Sequence, residues 1–553
     1  MNILKNIDNN DIDISNNNKD NNINNININK EIDNSKIFFY IFKNKYLKNL
    51  IFYFLRLFNN FKYYSFSNIK ELNQFKYKSY LFHISLKEIN QDDTLQYLGD
   101  TSLSNIRIIH LITNNISIVR EINQINSNIK IELIAKVSDE FEEFPSNVSS
   151  LSRKVLANFK RQGDNSLIQD SFKLNKIYPE FLKCLEIPFF NGDALPKYLK
   201  SLKIGILNNF NILPKETLEY LEIDNIKMSI TQDNGLKQFK ALKQLRINIQ
   251  TMLLEIHENS LPNNLEVLDC IKWSGGLKSN TLPSYLKKLR MNTAILLAPN
   301  CYPNTLVDLE ISEIIHSPLS SSTFPTNLIS LRVNKIPTLE SYCNSLPSSL
   351  RKLVISEKFL PQTSSITLPS GILDLEVPEF NKYYGPIIPS SVQYFRVRSI
   401  ESNSFLKPSL IPSSCTYLQL PPQFNNPFTP GDISVIENIK HLVFGSSFDQ
   451  QIVVGSLPQL LSITFGCNYN QPFIKDSIPD SVTSITLGAH FEQVITKECL
   501  PNNLKTINFS NSNAVIRSLP DSIENITISK SNVFIFSQIS NFKNLNLLKI
   551  NVC

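Results

Sequence analysis

Proline is missing from the first 144 residues of this 553-residue chain, and all 29 prolines lie from Pro145 onward. Glycine is scarce, 14 in all, which argues against a protein built on glycine-rich phosphate loops. Apolar runs are short. The most apolar stretch, 36–64, is broken by Lys43, Lys45, Lys48, Arg56 and Lys62, so it cannot span a bilayer. Residues 1–35 hold no apolar core of a secretory signal. The eight cysteines form no C-x-x-C pair, so neither a zinc site nor a redox motif is signalled. Without an export signal, a cytoplasmic chain with reduced thiols is the expectation. The six histidines are scattered, and no H-E-x-x-H, G-x-S-x-G or P-loop pattern occurs. No catalytic residue, metal ligand or cofactor is therefore indicated, and the chain reads as non-enzymatic.

What is present divides into three zones. Residues 1–35 contain 14 asparagines and read as a disordered tail, because such a tract buries too little surface to offset its ordering entropy. Residues 36–143 read as a helical or mixed N-terminal region. Its segment 36–70 carries seven basic residues, no acid and thirteen aromatics. There Leu47, Leu50, Ile51, Phe54 and Phe58 fall on one face of an amphipathic helix. Ile106–Ile112 and Ile129–Val137 alternate like strands.

From 144 to 553 the chain is a repeat, [L/I/F]-P-x-x-L-x-x-L-x-[I/V]. Eighteen units can be read between Pro179 and Phe542, one every 22 residues or so. In Leu346-Pro-Ser-Ser-Leu350-Arg-Lys-Leu353-Val-Ile355, Leu353 and Ile355 share one strand face, and Leu350 turns the chain inward ahead of them. Proline and serine start a turn, with serine expected to bond nearby backbone. One short strand per coil stacks in parallel on the next, so neighbours complete a core that no unit could bury alone. The fold class is mainly β, a parallel solenoid with few full helices on the return paths.

This core resembles leucine-rich repeats, especially the short bacterial kind. It lacks a regular Asn after the strand and puts aromatic–polar pairs there instead, among them Phe424-Asn425, Phe448-Asp449 and Tyr469-Asn470. Phe444-Gly445 and Phe465-Gly466 close two strands. The combination is similar to the FNIP repeats of social amoebae. The Asn-rich tail and Phe42-Lys-Asn-Lys-Tyr-Leu-Lys-Asn49 resemble the opening of those proteins. The resemblance implies an architecture and little about activity.

The residue between the last two strand hydrophobes faces away from the core. In order it is Glu186, Lys203, Glu222, Arg246, Asp269, Arg290, Glu310 and Arg332, alternating in sign at every step. Val354 interrupts, Glu376 and Arg396 follow, and then come Gln419, Val443, Thr464, Thr486, Asn508 and Thr527. Two readings stand: a self-neutralising ladder that fixes strand register, or a charged recognition strip. Alternation disfavours nucleic acid, which needs net positive charge. Two residues earlier on the same side, consecutive units place Tyr394, Tyr417 and His441. Clustered aromatics on an open face suit either a protein interface or stacking along the ladder. Tyr394, Tyr417, His441, Arg396 and Gln419 are the candidate protein-binding residues. Cys270 and Cys415 occupy apolar repeat positions and read as buried hydrophobes, and Trp273 as a loop anchor.

The expected function is a non-enzymatic scaffold that binds another protein through the concave face of the solenoid. Two alternatives are carried. One is a substrate receptor of a ubiquitin ligase docking through the 47–58 helix, against which stands the absence of an opening Leu-Pro. The other is a peripheral membrane binder using residues 36–70. No nucleic-acid partner and no integral membrane association are expected. Self-association through the C-terminal edge is expected, since the last strand, 545–553, carries only Lys549 as a gatekeeper.

Overall fold

The computed structural model describes residues 63–552 with breaks. The longest breaks are 87–105, 155–181 and 529–548, and the description is continuous over 437–509. The N-terminal tail, the helix expected at 47–58 and Trp273 lie outside the described residues.

The second leucine of each unit is the key inward position. Leu185, Leu202, Leu221, Leu245, Leu268, Leu289, Leu309, Leu331, Leu353 and Leu375 pair in parallel register, each with the next. Phe395, Leu418, Leu442, Ile463, Ile485, Ile507 and Ile526 continue the column without a slip. All of these side chains are buried. Each contributes roughly 1.5–3 kcal/mol of burial that a lone coil could not provide. The result is a single sheet of 23 parallel-paired strands among the described residues, of which 18 lie between Cys184 and Val552. It is a leucine-rich-repeat-like solenoid.

The turn ahead of each strand has one chemistry. Leu350 N–H donates to Pro347 C=O at 3.1 Å, and Arg351 and Lys352 N–H both reach Ile329 C=O on the preceding coil at 2.9 and 3.0 Å. The serine does not bond its own turn, as the sequence alone suggests. Instead the residue before the first leucine reaches back across coils. Ser349 Oγ donates to Leu328 C=O, Ser391 Oγ to Ile372 C=O and Ser414 Oγ to Val392 C=O, at 2.7, 2.6 and 2.7 Å. Asn264, Asn327 and Asn503 do the same with their amides. A short donor there stitches neighbouring coils, whereas a local bond would satisfy only one.

The sheet also crosses the boundary at 143/144. Strands Tyr63–Phe66, His83–Leu86, Ile108–Ile112, Lys130–Lys136 and Val148–Lys154 pair in parallel, one after another, and the last joins Cys184–Phe189. Over these strands the N-terminal region continues the parallel sheet of the solenoid. A register shift between Ile131 and Glu132 marks the join. The α-helix Ile69–Gln74 is a six-residue turn capped by Asn68. No helix among the described residues is long and apolar enough to cross a membrane.

Return paths carry the aromatic–polar pairs. Phe424, Phe448, Tyr469 and Phe491 stack in succession with centroids 6.1, 5.9 and 6.0 Å apart. A second row, Phe444 and Phe465, stacks at 5.3 Å and meets the first row at 4.1 Å. The polar partners form a ladder of their own. Asn425 Oδ1 accepts from Asp449 N–H at 2.8 Å and from Gln450 Nε2 at 3.2 Å. Asp449 Oδ1 accepts from Asn470 N–H and Gln471 Nε2, and Asn470 Oδ1 from Glu492 N–H and Gln493 Nε2, at 2.8–3.1 Å. Between ring and strand the coils touch backbone to backbone. A Cβ on Gly466 would lie 2.0 Å from Gly445 O, so no side chain fits.

Candidate protein-binding face

Strand alternation sends every second residue of the sheet away from the core. The outward column from Glu186 to Thr527 is in register at each step. Its ion pairs are real contacts: Lys203–Glu222 at 3.4 Å, Arg246–Asp269 at 3.5 Å, Arg290–Asp269 at 3.7 Å, Arg290–Glu310 at 3.3 Å and Arg332–Glu310 at 4.0 Å. Asp269 is the buried member. Burial pushes its carboxyl above the usual value, against the opposing pull of Arg290 and Arg246. Glu222 is pushed up by burial too, but the Tyr220 hydroxyl, Lys203 and Asn248 together hold it below the ordinary range. Tyr220 in turn, half-buried and donating to Glu222, is raised to about 12.

A second alternating column, not singled out from the sequence, stands three residues before the first. It comprises Lys200, Glu219, Lys243, Glu266 and Lys287, linked coil to coil by backbone bonds. Lys200 meets Glu219 at 2.6 Å and Lys287 meets Glu266 at 2.8 Å. The signal is available in the sequence, since the sign there follows the sign of the first column within each coil.

The five candidate residues come together as the spacing implies. Tyr394 pairs with Tyr417 and Tyr417 with His441 in consecutive strands, while Arg396 pairs with Gln419. Ring centroids are 5.8 Å apart for Tyr394–Tyr417 and 6.5 Å for Tyr417–His441. The Arg396 guanidinium lies 5.6 Å from the Tyr417 ring centroid, within cation–π range. The same guanidinium is anchored on Asp374, which also takes Lys352 at 3.3 Å. Arg398 is paired with Glu376 beside it. His441 Nδ1 meets Ser462 Oγ at 2.7 Å. Tyr394 is 44% exposed. Asp374 is not among the residues singled out from sequence, and it is the one that fixes Arg396 over the ring.

Cys270 and Cys415 are buried, as their repeat positions require, and burial pushes the Cys415 thiol up to about 12.

The model of the FNIP repeat matches residues 424–468 and 469–512, two spans that open on Phe424-Asn425 and Tyr469-Asn470. The chain carries FNIP repeats. Each matched FNIP span opens on an aromatic–polar pair whose rings stack and whose Asx side chain caps the next coil. Among solved structures, a circular leucine-rich-repeat protein, CroV588, aligns with a TM-score of 0.41 at 20% identity, over 89% of this chain and 88% of that one. YopM from Yersinia enterocolitica WA-314 aligns with a TM-score of 0.29 at 17% identity, over 64% of this chain and 88% of that one. No curated protein sequence matches the chain.

Proposed function

We propose that this FNIP-repeat solenoid is a non-enzymatic scaffold that binds another protein through the outward face of its sheet, centred on Tyr394, Arg396, Tyr417, Gln419 and His441. The observation that carries the reading is the outward aromatic run, exposed at Tyr394 and half-buried at Tyr417 and His441. Tyr394, Tyr417 and His441 stand on three successive strands, with an arginine held against the central ring. Aromatic residues and arginine dominate binding energy at protein interfaces, because they offer large area at low entropic cost. Here the parallel ladder holds them in place before a partner arrives, so little ordering cost remains. Stacking alone would account for the ring spacing, but it does not require the face to stay open.

The test is affinity purification of the full chain with a photo-crosslinker at position 419, which the variant below retains. The Tyr394→Ala/Tyr417→Ala double variant is expected to lose its crosslinked partner, with a binding loss of about 2 kcal/mol or more. A partner retained undiminished by a folded double variant defeats the assignment.

A further inference from the structure

The column from Lys203 to Arg332 alternates in sign, with four cations to three carboxylates, and it is uneven in height. Its cations stand out, with side-chain exposures of 49% for Lys203, 49% for Arg246, 47% for Arg290 and 35% for Arg332. Its carboxylates are sunk: Glu222 is 17% exposed and Asp269 11%, with Glu310 at 35%. Glu222 and Asp269 satisfy their cations from below, so there an approaching molecule meets ammonium and guanidinium groups first, whereas Glu310 stands as high as Arg332. Lys200, Lys243 and Lys287 widen three of the basic coils on one side, so the cations there lie in bands two residues broad.

The bands recur at every second coil, a repeat of about 9.6 Å from strand spacing. Between them lies a coil whose acids repel any continuous line of negative charge. A nucleic-acid strand, charged at every residue, would place phosphates over Glu222 and Glu310 as well as over the cations. A polypeptide can space its charges. In the polyproline II conformation every third side chain recurs at about 9.3 Å, on the same edge of the chain.

We propose that the strip Lys203, Arg246, Arg290 and Arg332 is a docking site for an acidic protein segment in extended, polyproline II conformation, lying across the coils with a carboxylate at every third residue. The six strand steps from Lys203 to Arg332 span about 29 Å, the length of nine or ten such residues at about 3.1 Å each. This surface is separate from the Tyr394–His441 patch, and neither reading depends on the other.

The probe is a fluorescein-labelled peptide of about four Glu-Pro-Pro repeats, titrated against the full chain by fluorescence anisotropy. Binding is expected at low salt and should weaken steeply as salt rises. Lys203→Gln/Arg332→Gln removes the two ends of the strip, where the pairs measure 3.4 and 4.0 Å. It should weaken binding about tenfold. Arg246→Gln/Arg290→Gln should weaken it further, and Tyr394→Ala/Tyr417→Ala should leave it unchanged. Four results overturn the proposal: no binding at low salt; equal binding of a permuted peptide with its glutamates in one block; equal or tighter binding of a single-stranded oligonucleotide of the same charge; or unaltered affinity in the end-of-strip variant with a wild-type melting temperature.

Discussion

Reversing Arg290 to glutamate tests whether the alternating column holds the coils in register. Arg290 meets Asp269 on one side at 3.7 Å and Glu310 on the other at 3.3 Å. The change removes two attractive pairs and creates two repulsive ones. Opposite pairs across strands contribute roughly 0.2–1 kcal/mol each, and like pairs cost about the same. Arg290 is nearly half exposed, so solvent screening discounts the upper end. The expected loss is about 1–3 kcal/mol at low ionic strength, shrinking as the Debye length falls from about 30 Å at 0.01 M to 3 Å at 1 M salt. A long solenoid need not unfold all at once, so the readout is local. Hydrogen exchange should report lost protection in strands Val267–Cys270, Lys288–Ile295 and Asp308–Ile314, and little change in Ser462–Thr464. Arg290→Gln should cost about half as much. The swap Arg290→Glu/Glu310→Arg should recover only part, because it leaves an acid beside Asp269 and a base beside Arg332. Unchanged protection at low salt, or a loss that salt does not reduce, refutes the register role.

Gly466→Ala should destabilise by about 1–3 kcal/mol or more, read as a lower melting transition, since its Cβ would lie 2.0 Å from Gly445 O; a wild-type melt contradicts the backbone contact. Asp449→Ala strips the acceptor from Asn470 N–H and Gln471 Nε2 and should cost about 1–3 kcal/mol, seen as faster exchange over 469–473, whereas Asp449→Asn should be mild. Native alkylation at pH near 8 should label exposed Cys467 and spare buried Cys270 and Cys415, the latter with its thiol raised to about 12; equal labelling by mass spectrometry rejects the packing. Acidification should act oppositely on two strip carboxylates. The pKa of Glu222 is lowered by folding, so its contribution is present above the unfolded value and is lost as pH falls through the native one. That of Asp269 is raised, so its contribution is present below the unfolded value and lost as pH rises through the native one. Between pH 5 and 3, roughly, strand Tyr220–Ile226 should lose protection and strand Val267–Cys270 should not.

The strand columns are legible because each unit repeats its apolar spacing in a form that only one register satisfies. Leu353 and Ile355 name the inward face, and Val354 between them takes the outward column, where it is nevertheless buried. The same two-residue spacing is present N-terminally in Ile84-Ser-Leu86, Ile109-His-Leu111 and Ile131-Glu-Leu133. It does not read as solenoid in the sequence because no proline turn introduces it. Side-chain reach across coils is not legible. Serine at position 349 has equal chemical access to its own turn and to Leu328 C=O, and only the stacking distance decides. Nor can the order of charges show that Asp269 sinks while Arg246 and Arg290 rise. That follows from the length of an arginine against an aspartate on a crowded face. Of the candidate patch, the ring column is legible and the Asp374 anchor is not, because it acts from the neighbouring strand and a different column.

The change of character along the outward face has a physical reason on the opposite wall. In the coils from Lys203 to Arg332, pairing a strand with the next but one would set Lys203 against Arg246 and Glu222 against Asp269. Like charges at strand spacing exclude that mistake. From Phe424 onward, the return paths supply stacked rings, an Asx ladder and glycine contacts that fix each coil on its neighbour. Register is then set from behind, and the outward column no longer needs charge. It becomes Gln419, Val443, Thr464 and Thr486. The aromatic run Tyr394, Tyr417 and His441 lies where the two regimes meet, with Arg396 and Arg398 paired to Asp374 and Glu376 at one end and Phe424 and Phe448 stacked behind the other. Register therefore explains the charged coils, and the proposed protein-binding role would account for the exposed Tyr394.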